Sequence, residues 1–276
     1  MEIKEFDGSI IELIINGKKI DLKDPASFSD DWNDVLRKDR GLNMADNLSP
    51  AEAAERLRAV RDAAAEAAER AGRPAESITI LGVSKTFPAA SVRALAEAGL
   101  RDFGESYMQE ARAKVNELAG LDPAPRWHFI GHLQTNKARY AAALFPVVHS
   151  LDRLELAREL AARAQALGRT VEVYIEVNVS GEDSKSGLAP ADLPRFLEEM
   201  SLLPALKPLG LMTMPPYDPD QEASRPFFAA LRELRDRQAP GLPGLSMGMS
   251  GDFPVAIEEG ATIIRVGTAL FGGRGA

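Results

Sequence analysis

The stretch ILGVSKTFP, residues 80–88, reads as a short buried strand that delivers a single lysine, Lys85, to its end. A doubly wound dinucleotide-binding sheet would place a Gly-rich turn directly after its first strand. SKTFP is no such turn. An amine stands there instead. Lys85 either marks where the strand meets water, the ordinary fate of a lysine, or is placed for chemistry at the amine.

Working outward from this stretch, strand-like apolar runs continue at Asp102–Glu105, Trp127–Gly131, Val147–Leu151, Val171–Val179, Leu206–Met214, Leu245–Gly248 and Thr262–Gly267, the first run being Ile78–Lys85. Amphipathic segments lie between them at Ala89–Ala98, Tyr107–Leu118, Asp152–Leu167, Pro190–Leu202 and Gln221–Arg237. Strands alternating with helices imply parallel pairing through right-handed crossovers. Eight such runs after Met44 predict an α/β chain of the (β/α)8 TIM-barrel class over residues 44–276. A long Ala/Glu/Arg helix precedes the first strand, capped by Ser49 and closed by GRP near Ala71.

Residues 1–43 differ from the rest and read as an N-terminal extension. SIIELIINGKKIDL is two apolar runs around Asn16-Gly17, a type I′ hairpin signal. DPASFSDDWNDVLRKDRGL predicts a short helix after it. Met44 opens MADNLSPAEAAERL, a natural start of its own.

Composition narrows the function. Hydrophobic residues make up 45% and charged residues 27% of the 276, as in ordinary globular chains. No run approaches the roughly 18 apolar residues of a membrane span, and MEIKEFDGSI is not a leader peptide. The absence of cysteine excludes disulfides, thiolate nucleophiles and cysteine metal sites, and fits the cytoplasm. A net charge of −8 argues against a nucleic-acid partner. The histidines are His128, His132 and His149. WHFIGH reads as strand and turn, so its spacing lacks the helical meaning of a zinc-protease motif, and no metal site is expected.

In a barrel, chemistry sits at the carboxyl ends of the strands. The last two ends, MGMSGD and RVGTALFGG, are small Gly-rich turns that each lead into a helix start. Their backbone N–H groups, with the Ser250 and Thr268 hydroxyls, form a candidate anion cradle. Glycine and serine also serve simply as turn formers. Two such loops beside Lys85 favour a phosphate ligand, and an amine beside a phosphate can form a Schiff base with an aldehyde cofactor.

GVSKTFP, FGESYMQEA, WHFIGHLQTNK, HSLDR, SGEDSKSG, GLMTM and LSMGMSGDFPVAIEEGATIIRVGTALFG occur in this order between about Leu48 and Gly272. Together they resemble the pyridoxal-phosphate homeostasis protein family, a relative of the barrel domain of alanine racemase. The resemblance implies pyridoxal 5′-phosphate held as an internal aldimine on Lys85. It implies a phosphate site at Ser246, Ser250, Gly267 and Thr268, with Met247 nearby, and Arg265 facing the pyridine nitrogen. A guanidinium cannot accept a proton, so that nitrogen stays unprotonated and the cofactor is a weak electron sink. The bland reading of Arg265 is an ion pair across the barrel mouth.

Two positions depart from the family pattern. Ser106 stands where FGEN has asparagine, which puts its contact with the ring oxygen in question, and Phe87 stands where a second lysine is common. Lys137 and Lys185 match family lysines and read equally as solvated loop charges. The function implied is binding, buffering and delivery of pyridoxal phosphate, with pyridoxal-phosphate-dependent apoenzymes as partners and no strong catalysis. The alternative is an amino-acid racemase. Racemisation needs an acid/base on each face of the carbanion. Lys85 could serve one face, but neither Tyr107, Tyr140, Tyr174 nor Tyr217 has a claim to the other, and the chain after the eighth strand is only TALFGGRGA. A cofactor-free barrel enzyme would need paired carboxylates, for which Glu105 and Glu176 are the candidates.

Overall fold

Ser49 begins the barrel unit with a reciprocal cap. Its hydroxyl accepts from the Glu52 N–H at 3.3 Å, and the Glu52 carboxylate accepts from the Ser49 N–H at 3.1 Å. Helix α1 follows over Pro50–Arg70. Gly72, at φ 66°, ends it in the left-handed conformation, with Arg73 N–H bonded back to the Ala68 carbonyl. The computed structural model describes residues 2–6, 9–15, 18–20, 48–182 and 185–273. The chain separates into two compact units, Met1–Met44 with Gly275–Ala276, and Ala45–Arg274.

The first unit contains a three-stranded antiparallel sheet, β1 (Glu2–Phe6), β2 (Ser9–Ile15) and β3 (Lys18–Ile20), in that order. Ile15 pairs with Lys18, as a two-residue hairpin requires. The turn itself and the helix expected after it lie outside the described residues. Strand β1 was not expected; EIKEF is too short to announce a strand and is one by pairing with β2.

In the second unit eight strands close a parallel barrel: β4 (Thr79–Val83), β5 (Asp102–Glu105), β6 (Arg126–Phe129), β7 (Val147–Leu151), β8 (Val171–Glu176), β9 (Leu206–Met212), β10 (Gly244–Met249) and β11 (Ile263–Val266). Pairing of β11 with β4, from Ile263 and Thr79 to Val266 and Gly82, closes the ring. The helices that follow successive strands are α2 (Ala89–Glu97), α3 (Met108–Glu117), α4 (Ala138–Leu144), α5 (Leu154–Ala166), α6 (Leu193–Met200), α7 (Arg225–Gln238), α8 (Phe253–Glu258) and α9 (Thr268–Phe271). The expected (β/α)8 class is therefore observed. Helix α4 was not singled out, because four of the seven residues of ARYAAAL are alanine and the segment carries little polar–apolar contrast.

Strand alternation divides the core into two layers. Residues such as Phe103, Trp127, Val148, Leu211, Met247 and Ile264 face the helices. Leu81, Val147, Tyr174, Met212 and Ile263 fill the barrel interior. Helix α1 buries Ala53, Leu57, Val60, Ala64 and Ala67, a stripe at helical spacing, and lies against α2, α8 and α9. Those three helices follow β4, β10 and β11, so the long helix braces the elements whose loops carry the predicted site. No helix among the described residues is long and apolar enough to cross a membrane.

Candidate cofactor site at the carboxyl end of the barrel

Strands β10, β11, β4 and β5 are consecutive neighbours in the ring. Closure therefore gathers Ser250, Gly267, Thr268, Lys85 and Ser106 along one arc of the mouth, although they span most of the chain. A Cβ added to Gly267 would stand 3.7 Å from Val83 Cβ, which places that loop directly beside the end of β4. No group of three metal-ligating side chains occurs among the described residues.

Lys85 is not on the strand, as the apolar run suggested. Strand β4 ends at Val83, and residues 84–87 form a turn closed by Phe87 N–H donating to the Ser84 carbonyl at 3.1 Å. Thr86 takes φ 72° there, the one positive-φ residue other than glycine among the described residues. For a β-branched side chain that conformation costs about 1–3 kcal/mol and persists only where its surroundings impose it. Lys85 is half-buried at the turn's first corner. Phe87, in place of the family's second lysine, is buried and stacks on Phe271 of α9 at 4.9 Å, tying the turn to the helix after β11.

A second lysine, missed at the sequence level, lies behind this turn. Lys114 of α3 is 5% exposed, and its Nζ donates to the Ser84 carbonyl at 2.6 Å and to Glu105 Oε1 and Glu110 Oε1 at 2.7 Å each. Glu110 Oε1 also accepts from Thr86 N–H at 2.5 Å, and Ser84 Oγ donates to Glu105 Oε1 at 2.6 Å. Burial pushes the Glu105 carboxyl upward against the lowering effect of Lys114. Its Oε2 has no hydrogen-bond partner among the described residues. Glu105, a candidate catalytic carboxylate by its place at a strand end, thus faces outward to α3 and not into the mouth. The overlooked signal was a lysine three residues after Ala111 and four before Leu118, on the buried face of its helix.

Inside the barrel the site rests on a chain of side chains. Arg265, 4% exposed, donates to Ser246 Oγ at 2.8 Å and to the Thr213 carbonyl at 2.9 Å. Ser246 Oγ lies 2.9 Å from His149 Nδ1, His149 Nε2 lies 2.9 Å from His128 Nδ1, and His128 Nε2 lies 2.9 Å from Asp102 Oδ1. Burial lowers both histidine pKa values, that of His149 well below the usual range, so the rings are neutral. Asp102 can only accept, and the guanidinium can only donate. One proton arrangement satisfies every contact: Arg265 gives to Ser246, Ser246 to His149, His149 to His128 and His128 to Asp102.

This arrangement sorts the residues expected on β10. The single Ser246 hydrogen goes to His149 Nδ1, and Ser246 is fully buried, so it supports Arg265 and has no hydrogen to give a phosphate. Met247 is fully buried among the helix-facing residues and turns its side chain away from the mouth. Ser250 is different. Its Oγ accepts from Gly267 N–H at 3.1 Å and Ala269 N–H at 3.4 Å, which leaves its own hydrogen for a third partner. Thr268 is exposed at the first position of α9, where its N–H has no intrahelical acceptor.

The loop that carries Ser250 is held from below. Gly248 is at φ 91°, and a Cβ there would stand 2.6 Å from Ala256 Cβ, so only glycine fits. Asp252 accepts from Met249 N–H at 2.6 Å and from Ser224 Oγ at 2.9 Å, which engages both carboxylate oxygens and turns its charge inward. The remaining groups beside Lys85 are hydroxyl and N–H donors, a set that suits an anion. Ser106, half-buried, completes the arc, and a Cβ on Gly131 would meet its carbonyl at 2.5 Å.

A cavity of about 350 Å³ continues from the mouth, lined by Ile130, His132, Glu176, Lys185, Met214 and Met249 among others. Burial, reinforced by Asp152, pushes Glu176 up to about 7, with Arg265 opposing. Lys185 Nζ pairs with Glu182 at 2.7 Å. Lys137 is exposed, 5.8 Å from the Tyr140 ring centroid.

Residues 53–275 match the model of the family described as alanine racemase, N-terminal domain. A pyridoxal phosphate homeostasis protein of Pseudomonas aeruginosa is 50% identical over 221 residues, 80% of this chain and 95% of that one. Its counterpart in Aquifex aeolicus is 48% identical over 226 residues, covering 80% of this chain and 98% of that one. The chain belongs to the pyridoxal phosphate homeostasis protein family. Among solved structures, that of PipY from Synechococcus elongatus with PLP bound superposes with a TM-score of 0.70 at 41% identity, over 80% of this chain and 100% of that one. The family resemblance carried by the strand-end motifs is thereby established for the barrel unit.

Proposed function

We propose that this member of the pyridoxal phosphate homeostasis family binds pyridoxal 5′-phosphate at the arc between β10 and β5, with Lys85 as the point of covalent attachment, and serves to buffer and deliver the cofactor. The observation that carries this reading is the half-buried Lys85 turn set beside the Ser250 and Thr268 donors, in a chain 41% identical to a protein solved with PLP bound. When bound, the cofactor supplies an aldehyde that combines reversibly with amines.

The chain's own residues divide the work. The Ser250 hydroxyl, whose oxygen is already held by the Gly267 and Ala269 N–H groups, and the hydroxyl and N–H of Thr268 would hold the phosphate. Arg265 keeps its charge, since burial lowers it only to about 10. Fixed at two acceptors, it has donors and no acceptor to offer a ring nitrogen, and beside one it would favour the unprotonated form, a weak support for carbanions. Ser246 acts through Arg265 and not on the phosphate. Ser106 lies within the arc and, with a shorter side chain than asparagine, adds one hydroxyl.

The same geometry favours a carrier over a racemase. Tyr174 stacks on His149 inside the barrel at 4.5 Å, Tyr107 and Tyr217 are exposed, and Tyr140 lies under Lys137 and Arg139. These positions, in a stack, in a cation–π contact or in solvent, support the carrier reading. The proposal includes a cytoplasmic setting, apoenzymes that need the cofactor as recipients, and a barrel of residues 44–276 that binds without the extension of residues 1–43. Borohydride treatment of the loaded protein followed by peptide mapping tests the attachment. The label is expected on the peptide containing Lys85; a label mainly on Lys137 or Lys185 would overturn the assignment.

A further inference from the structure

Lysine and glutamate are expensive to bury, and a buried ion pair adds little stability over apolar residues of similar size. Yet Lys114 and Glu105 are almost wholly buried, and together with Glu110 they hold groups on either side of Lys85. Lys114 Nζ takes the carbonyl of Ser84, the residue before it. Glu110, itself held by Lys114, takes the N–H of Thr86, the residue after it. Glu105 Oε1 accepts from both Lys114 and the Ser84 hydroxyl. The peptide groups flanking Lys85 are thus clamped by one cluster at the positive φ of Thr86, a conformation a β-branched residue does not hold unaided.

We infer that Lys114, Glu110 and Glu105 are positioning residues for Lys85: they fix the turn so that its amine faces the phosphate loops, and they set how fast the cofactor becomes covalently attached. This rests on the reading of Lys85 as the attachment point. Attachment exchanges the aldehyde oxygen, lost as water, for a carbon–nitrogen bond to Lys85 Nζ. The hydrogen bonds of the clamp go to Ser84, to Thr86 and within the cluster, and none goes to Ser250, Thr268 or Arg265, so its loss should slow attachment without weakening the phosphate and ring contacts proposed for those residues.

The test uses Lys114→Met in the full chain, with three measurements beside the native protein. Affinity for pyridoxine 5′-phosphate, whose alcohol cannot attach to an amine, reads the phosphate and ring contacts and should stay the same. Circular dichroism reads the fold and should also be unchanged. The rate at which pyridoxal 5′-phosphate becomes fixable to Lys85 by borohydride should fall by up to roughly a hundredfold, the order expected for an active-site group displaced by about an ångström. Adding Thr86→Gly should restore part of that rate, because glycine takes positive φ without a clamp; a merely destabilising role would show no such rescue. Should Lys114→Met fail to fold, Glu110→Gln at the half-buried edge of the cluster replaces it, with a smaller slowing expected. An unchanged attachment rate in a folded variant that still binds pyridoxine 5′-phosphate overturns the inference. Native protein that is never labelled on Lys85 overturns the attachment reading instead, so the two failures are distinguishable.

Discussion

The cluster around Lys114 and the chain ending on Arg265 support the same arc of the mouth, one outside the strand wall and the other inside it. The outer cluster is compact and charged, one ammonium against Glu105 and Glu110, and it grips backbone. The inner chain runs the depth of the barrel through neutral imidazoles, with charge only at Arg265 and at Asp102, where Arg126 lies 3.8 Å away. The difference follows from what each must hold. A strained turn needs strong, short bonds at two peptide groups. A cation inside the barrel needs acceptors that stay neutral, because a second positive charge beside it would be repelled. Glu105 and His128 show how closely the two systems lie: they sit on neighbouring strands and face opposite sides of one wall.

Breaking the outer cluster on one side should have the largest effect. Glu105→Leu leaves the buried Lys114 with only the half-buried Glu110 as counter-charge and should cost about 3 kcal/mol in denaturant unfolding. Glu105→Leu with Lys114→Met removes both charges and should recover most of that loss. A double variant as unstable as the single one would show that the backbone bond to Ser84, and not the ion pair, holds this region.

The inner chain should respond less. His149→Phe fills the same space but leaves the Ser246 hydroxyl and His128 Nδ1 without their partner, for a loss of about 1–3 kcal/mol. Because Ser246 then no longer orders Arg265, the absorption spectrum of bound cofactor should shift as well. No spectral change in the folded variant would mean that Arg265 is held by the Thr213 carbonyl alone.

The smallest effect sharpens the contrast through pH. Glu176 is raised to about 7, so the folded protein keeps a proton that the unfolded chain releases. Its contribution to stability is complete below the unfolded value near 4.5 and is lost as pH rises to about 7. His128 and His149 are shifted the other way, and stability falls as pH drops below 6.5, where only the unfolded chain takes up protons. Glu176 and the histidines thus oppose each other between pH 4.5 and 6.5, and Glu176→Gln should steepen the fall of unfolding free energy as pH drops through that window, leaving the histidine slope alone. An unaltered slope would place the titration elsewhere.

Much of this was legible before any tertiary contact was considered. The Ser49 cap, the Gly72 stop and the alternation of apolar runs with amphipathic segments are local signals, and most element ends appear within a residue or two of their expected places, although the run expected to Val179 is strand only to Glu176 and the segment expected from Gln221 is α-helical only from Arg225. Lys85 and the two Gly-rich loops stood out because their residue types are unusual at strand ends. The error about Lys85 was one of extent: the run was read as Ile78–Lys85, but the strand stops at Val83, and the polar residues Ser84, Lys85 and Thr86 form a turn whose last residue, Phe87, packs on Phe271. Ser246 and Met247 were placed at the phosphate by the family resemblance, whereas period-two alternation along β10 turns Ser246 into the barrel and Met247 toward the helices.

The sequence by itself determined the barrel class, the order of its elements and the loops that meet at the mouth, since caps, turns and hydrophobic period depend on residues a few positions apart. Only the tertiary structure decided that Lys114 reaches Ser84 from thirty positions away, that His149 lies between His128 and Ser246, and that Glu105 turns outward while Glu176 turns in. Those outcomes depend on closure and register, which bring the side chains of β5, β6, β7, β10 and β11 within hydrogen-bond reach, and no local pattern encodes a distance across a barrel.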